Sequence, residues 1–334
     1  MIKTIRFWFN NARPHALPQS VMPAVTAVCL AFVSPEFSPW LGIIAVIGVI
    51  AGHLGINLFD DYFDFKVKNT SYREKMMHQG MRARIAKCAY LTSEKTTLRN
   101  LLIAACIFCA VALICGLIIF IRRGEVILYL AIASVLLGLF YSGPPLRLSY
   151  RGLGELQIGL MFGPMLMTGV YYATCGTFSP SVLFISVPIG LLVADIVYVH
   201  SIMDYEPDKQ VGKMTFAGLL GNKKYMLLAL FLLLFISYGM IVGGVVAGYL
   251  SAYYLFVFLT LPSAVSLYHL MDQYVHNPTR TFTPRFWMGP TGNWEHLKTV
   301  GIDWFMIRWL SARNLLSFFC LIIIIVTLLL KFIK

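Results

Sequence analysis

Two short stretches hold more acid than an otherwise apolar chain should tolerate. The first reads His53-Leu-Gly-Ile-Asn57-Leu-Phe-Asp60-Asp61-Tyr62-Phe-Asp64-Phe-Lys66. On a helix, steps of four, four and three place His53, Asn57, Asp61 and Asp64 on one face. The second reads His200-Ser-Ile-Met-Asp204-Tyr-Glu206-Pro-Asp208-Lys-Gln-Val-Gly212-Lys213, and steps of four put His200, Asp204 and Asp208 on one face. Clustered carboxylates repel one another unless a cation sits among them. Carboxylate and amide oxygens suit a hard cation such as Mg²⁺, which commonly bridges to substrate phosphates. Asp61, Asp64, Asp204, Asp208 and Asn57 are therefore candidate metal ligands, and two ions could share one diphosphate. Lys213 beside the second cluster is a candidate phosphate partner. The competing reading, salt bridges to loop lysines and helix caps, does not account for two clusters matched in spacing and flanking polar residues.

Those clusters need elements to carry them, and the composition says which. Of 334 residues, 58% are hydrophobic and 13% charged, about half the charge of a soluble domain. A mean hydropathy of +0.75 makes lipid the solvent for much of the chain. Nine apolar runs read as spans: 17–34, 40–59, 98–120, 126–142, 154–174, 182–203, 225–247, 250–271 and 313–332. The pair 225–271 is interrupted at Gly243-Gly244 and Gly248-Tyr249, which predicts a tight turn. The expected fold is an all-α, multi-pass transmembrane helical bundle. No polar stretch is long enough for a separate soluble domain, so residues 1–334 read as one membrane domain. Nor does the N-terminus read as a cleavable signal peptide, since the first apolar run begins only after Arg13-Pro14.

Net charge is +12. In a soluble protein this would raise nucleic acid as a partner. Here the basic residues lie between apolar runs, where they set topology and attract anionic headgroups or substrates. With the N-terminus in the cytoplasm, 23 of the 27 Lys and Arg fall on the cytoplasmic side. That asymmetry predicts nine spans with both acidic clusters facing the cytoplasm. Most of the seven cysteines lie inside apolar runs, and Cys106-x-x-Cys109 reads as small apolar residues in a helix rather than a metal or redox site.

The two acidic stretches, Asn57-x3-Asp61-x2-Asp64 and Asp204-x3-Asp208 with Gly212-Lys213, resemble the aspartate motifs of the UbiA superfamily of intramembrane prenyltransferases. Three further stretches look like the branch that prenylates 1,4-dihydroxy-2-naphthoate in menaquinone synthesis. They are Tyr141-Ser-Gly-Pro-Pro-Leu-Arg147-Leu-Ser-Tyr-Arg151-Gly-Leu-Gly-Glu155, then Phe162-Gly-Pro164 with Gly169-x-Tyr171-Tyr172, and the opening Ala12-Arg13-Pro14-x2-Leu17-Pro18-x-Ser20-Val21-x-Pro23. The resemblance runs from about residue 12 to 220. It departs from the family at Asp60-Asp61, where Asn-Asp is usual, at Lys68, Asn69 and Thr70, where a further aspartate is usual, and at His200-Ser201, where paired Asn is common.

The resemblance implies Mg²⁺-dependent transfer of a polyprenyl group from its diphosphate to an aromatic acceptor at the membrane, in a prokaryotic inner membrane. Asp61, Asp64, Asp204 and Asp208 would hold Mg²⁺ on the diphosphate, and Asn57 would add an oxygen or orient the site. Lys213, Arg147 and Arg151 would meet phosphate or an acceptor carboxylate. Allylic C–O cleavage leaves a delocalised cation, for which Tyr62, Tyr141, Tyr150 and Tyr198 are candidate aromatic faces. His200 and His53, one turn before their clusters, are proton acceptors, neighbours of the ligands or packing residues. Hydroxybenzoate, a chlorin, haem or a glycerol phosphate lipid remain alternative acceptors. A cation-coupled transporter is the competing class, although its site would be expected near mid-membrane.

Four other features stand apart. Asp195 lies within span six, either on a cavity wall or in a structural hydrogen bond. Glu155 suits the start of a helix. The stretch Trp287 to Trp294 reads as an interfacial flap or a pair of membrane-surface anchors. Glycines in spans five to eight allow close helix packing or a groove.

Overall fold

The computed structural model describes residues 2–66, 88–210 and 212–333. Its helices are α1 (Ile2–Asn11), α2 (Pro18–Ala31), α3 (Pro39–Lys66), α4 (Ala89–Thr92), α5 (Leu98–Arg123), α6 (Glu125–Ser142), α7 (Gly154–Cys175), α8 (Pro180–Met203), α9 (Tyr205–Gln210), α10 (Phe216–Leu220), α11 (Lys223–Val246), α12 (Ala252–His276), α13 (Trp294–Thr299) and α14 (Asp303–Ile333). The described residues form no β-strand. Lys68, Asn69 and Thr70 lie outside them.

Eight helices are long and apolar enough to cross a bilayer: α3, α5, α6, α7, α8, α11, α12 and α14. The ninth expected span is the 14-residue α2. At 1.5 Å per residue it covers about 21 Å, less than the ~30 Å of a hydrocarbon core. With its flanking turns it still runs the depth of the bundle. Ser20 meets His53 at the acidic end, and the Phe32 carbonyl accepts from Lys331 at the other.

The last helix begins ten residues before the apolar run that predicted it. Arg308 and Arg313 hide this segment from a hydropathy reading. In the fold Arg308 is fully buried, donating to the Leu270 and Trp304 carbonyls, with its guanidinium 4.9 Å from the Tyr274 ring. Carbonyls and an aromatic face replace water around it. The α11–α12 turn falls at Gly248, whose φ of 75° suits glycine. Gly243 and Gly244 remain helical.

Helix α8 is the axis of the bundle, with buried residues along nearly its whole length. Its crossing with α7 depends on three glycines. A Cβ at Gly163 would stand 2.4 Å from the Gly190 Cα, and one at Gly190 would stand 2.4 Å from the Gly159 carbonyl oxygen. The obstacles are backbone, which cannot step aside. Gly190→Val is therefore expected to cost at least ~3 kcal/mol and to leave little monodisperse protein by size exclusion in detergent. Gly239→Ala, with nothing within 4 Å of the added Cβ, should change the unfolding midpoint little.

At this crossing α7 widens into a π-turn over Met161–Met165. Pro164 has no N–H to return to the Leu160 carbonyl, so the regular ladder cannot continue there. The widened turn holds the Phe162 ring 5.0 Å from that of His53.

Candidate active site

One cavity opens at the acidic end of the bundle, about 1450 Å³ with its mouth. Asp60, Asp64, Asp204 and Asp208 line it, along with Asn57, Tyr141, His200 and Lys213. Both acidic stretches thus reach one space, although more than 130 residues separate them in the chain.

The first cluster is turned differently from its expected register. Asp60 faces the cavity, whereas Asp61 is not among the lining residues. At 100° per residue, Asp60 falls about 20° from His53 and Asp61 about 80°. The true stripe is His53, Asn57, Asp60 and Asp64. Asp61 is buried beside it, its Oδ2 accepting from the Tyr90 hydroxyl at 2.9 Å. Burial, and then Asp61, raise the Tyr90 pKa and keep the phenol a donor. Asp64 accepts from the Tyr150 hydroxyl at 2.6 Å.

Arg13 ties this cluster to the turn before α2. Its guanidinium donates to Asp60 Oδ2 at 2.9 Å and to the Asn57 carbonyl at 2.8 Å, and lies 3.3 Å from Asp61 Oδ1. Burial works against its charge, but Asp61 and Asp60 outweigh that and raise its pKa. Asn57 returns the contact by donating to the Ala12 carbonyl at 3.0 Å. By residue type alone Arg13 stands out only as part of a motif before the first apolar run. A lone arginine before an apolar run carries no local signal of a partner some 47 residues away.

The second cluster spans a helix end. Asp204 caps α8, and Asp208 lies in the separate helix α9. The i→i+4 backbone bonds from Asp204 to His200 and from Asp208 to Asp204 persist through the junction, preserving the expected spacing. His200 Nε2 stands 3.0 Å from Asp204 Oδ2. Lys213 follows on a backbone bond to the Asp208 carbonyl, its Nζ 5.6 Å from the Tyr150 ring.

Glu155 fixes the loop that carries Lys213. It is buried, accepts from the Ser201 hydroxyl and takes the Phe216 N–H at 3.1 Å. It therefore joins α7, α8 and α10, a larger role than charge at a helix start. The Gly152 N–H to Met214 carbonyl bond, 2.7 Å, ties the 143–153 loop to the same segment.

Several sequence candidates do not reach the cavity. Arg147 and Arg151 are exposed side chains of the 143–153 loop, and Arg151 turns back to the Pro145 carbonyl. Tyr62 lies on the far side of α3, under Lys66. Tyr198 is fully buried and donates to the Met226 carbonyl at 3.0 Å. A helix's outer and inner faces look alike in a tyrosine-rich sequence. The aromatic side chains that do line the cavity include Tyr141, Phe162 and Trp309.

Asp195 also points elsewhere. It lies on the opposite face of α8 from Asp204, fully buried, and neither carboxyl oxygen has a hydrogen-bond partner among the described residues. The Trp287–Trp294 stretch is docked rather than poised over the cavity. The Trp287 carbonyl accepts from Ser263, and the Met288 and Pro290 carbonyls accept from Asn314. Cys106 and Cys109 are free thiols, the latter packed against Gly55.

A buried, carboxylate-rich cavity inside a helical membrane bundle defines the class. The UbiA prenyltransferase family pattern matches residues 20–289. The chain belongs to that family and is an integral membrane prenyltransferase. It is similar to the 1,4-dihydroxy-2-naphthoate octaprenyltransferase of Bacillus subtilis, with 26% identity over 258 residues, 76% of this chain and 78% of the relative. It is also similar to the 2-carboxy-1,4-naphthoquinone phytyltransferase of Synechocystis sp., with 27% identity over 289 residues, 85% of this chain and 88% of the relative. A UbiA homolog from Archaeoglobus fulgidus bound to GPP and Mg²⁺ shares the fold. Its TM-score is 0.52 and its identity 15%, over 93% of this chain and 99% of that one.

Proposed function

We propose that this enzyme transfers a polyprenyl group from polyprenyl diphosphate to 1,4-dihydroxy-2-naphthoate, as in menaquinone biosynthesis, from a cytoplasmic-facing site that uses Mg²⁺. The carrying observation is the convergence of both acidic clusters and Lys213 on one cavity within an apolar bundle. The activities for which the Bacillus and Synechocystis relatives are named support the naphthoid acceptor. The lopsided distribution of Lys and Arg supports the orientation.

The donor set fits Mg²⁺ arriving with its substrate. Among the described residues no three His, Cys, Asp or Glu side chains form a ready metal cluster. Carboxylate oxygens from two sides of the cavity suit a hard cation whose remaining ligands are phosphate oxygens. Asp64, Asp204 and Asp208, which line the cavity, would hold it, with Asn57 of the first stretch; Asp61, turned aside toward Tyr90, would not reach it. When bound, the ions neutralise charge on the departing diphosphate.

The protein's own groups do the rest. Lys213 meets the diphosphate at the mouth, kept there by Glu155 through α10. Tyr150 and His200 orient Asp64 and Asp204. Tyr141 and Phe162 offer aromatic faces to the allylic cation and keep water from it. The polyprenyl tail stays in the apolar phase. The test is incubation of membranes carrying the enzyme with Mg²⁺, a polyprenyl diphosphate and dihydroxynaphthoate, followed by mass spectrometry. A prenylated, decarboxylated 1,4-naphthohydroquinone, formed with release of CO2 and diphosphate, is expected. Its absence, with another aromatic acceptor prenylated instead, would overturn the acceptor assignment.

A further inference from the structure

The cavity has a second chemical character on its α2 side, away from the acids. Two polar side chains there are more than nine-tenths buried and yet have a free hydrogen-bonding group. His53 is 6% exposed. Its Nδ1 is occupied by the Ser20 hydroxyl at 2.6 Å, and Nε2 has no partner among the described residues. Gln19, 8% exposed and next to Ser20, also lines the cavity, and its amide has no partner among the described residues. Neither His53 Nε2 nor the Gln19 amide is sealed from the cavity, in contrast to the buried, unsatisfied atoms of Asp195. Buried polar groups left this way lose hydrogen-bonding free energy unless a ligand or water completes them.

Their surroundings specify the ligand. Phe162 packs its ring against His53 at 5.0 Å, and Trp309 lines the same cavity. The wall therefore offers uncharged donors and acceptors framed by aromatic rings. Arg13 borders this wall but is held by Asp60 and Asp61, and Lys213 follows the second acidic cluster. A flat ring bearing hydroxyl or carbonyl oxygens matches the wall.

We infer that His53 and Gln19 form the acceptor subsite, reading the oxygens of a hydroxylated aromatic ring that lies along Phe162. This rests on the proposed aromatic prenyl transfer and adds the residues that select its acceptor. Ser20 is a positioning residue, since it orients the imidazole so that Nε2 faces the cavity. The subsite stands on the same helix face as Asn57 and Asp60, one and two turns away, so a ring held here lies beside the diphosphate end of the cavity.

The test uses the full-length enzyme in detergent with two variants, His53→Phe and Gln19→Leu. Each removes hydrogen bonding while retaining bulk. Binding of 1-hydroxy-2-naphthoate without Mg²⁺, read by tryptophan quenching, separates recognition from chemistry. Each variant is expected to weaken that binding by about tenfold and to raise the acceptor KM by a similar factor. The KM for polyprenyl diphosphate should stay within about threefold, and His53→Gln should recover part of the loss. Unchanged naphthoate binding in both variants, or a rise confined to the diphosphate KM, would overturn the inference. If wild type ignores the naphthoate but binds 4-hydroxybenzoate, and the variants weaken that binding, the subsite stands and the naphthoate reading fails.

Discussion

Asp64→Asn and Asp204→Asn are each expected to lower diphosphate release by about a thousandfold or more, equivalent to ~4 kcal/mol of transition-state stabilisation. The substitution keeps volume and an acceptor oxygen, so the Tyr150 and His200 contacts can persist. What it removes is negative charge where a divalent cation would neutralise the leaving diphosphate. A second readout distinguishes this from damage to the fold. Carboxylates gathered around one cavity repel each other without a cation. Removing one should leave the metal-free unfolding midpoint unchanged or raised. Release within tenfold of wild type for both variants would sink the metal-site assignment. A large drop in midpoint would instead make these acids structural.

Arg13→Ala should be the most damaging single change of charge outside the acids. It leaves Asp61 and Asp60 side by side, largely buried and without the guanidinium that now faces both. Breaking such a pair from one side typically costs ~3–5 kcal/mol. Arg13 is partly open to solvent, so the lower end of that range is expected. The prediction is a lowered thermal midpoint in detergent together with lost activity. Arg13→Ala combined with Asp60→Asn should recover part of the stability, because the second change removes one of the two charges that face the guanidinium. A double-mutant cycle measures that coupling, and additive effects would exclude the proposed compensation. The departure from Asn to Asp at position 60 then has a physical reading, in which the extra charge is matched by Arg13.

Apolar run lengths and charge asymmetry were enough to read a multi-pass helical bundle, because lipid imposes its thickness on each segment. Acidic residues in such a sequence stand out for the same reason. Asp64, Asp204, Asp208 and Lys213 could be picked out by residue type and spacing alone, and the fold gathers them around one cavity. Finer register was not legible. Asp60 and Asp61 are neighbours in sequence but about 100° apart around α3, and only the orientation of that helix decided which one faces the cavity. Arg13, Glu155, Gln19 and Trp309 were invisible as site residues because their partners come from distant segments. Arg147, Arg151, Tyr62 and Tyr198 had suitable chemistry but were carried away from the cavity by the turns and faces they occupy. Residue type and local period are properties of the sequence. Which side chains share a cavity depends on how helices cross, and here that crossing is set by backbone approach at Gly159, Gly163 and Gly190.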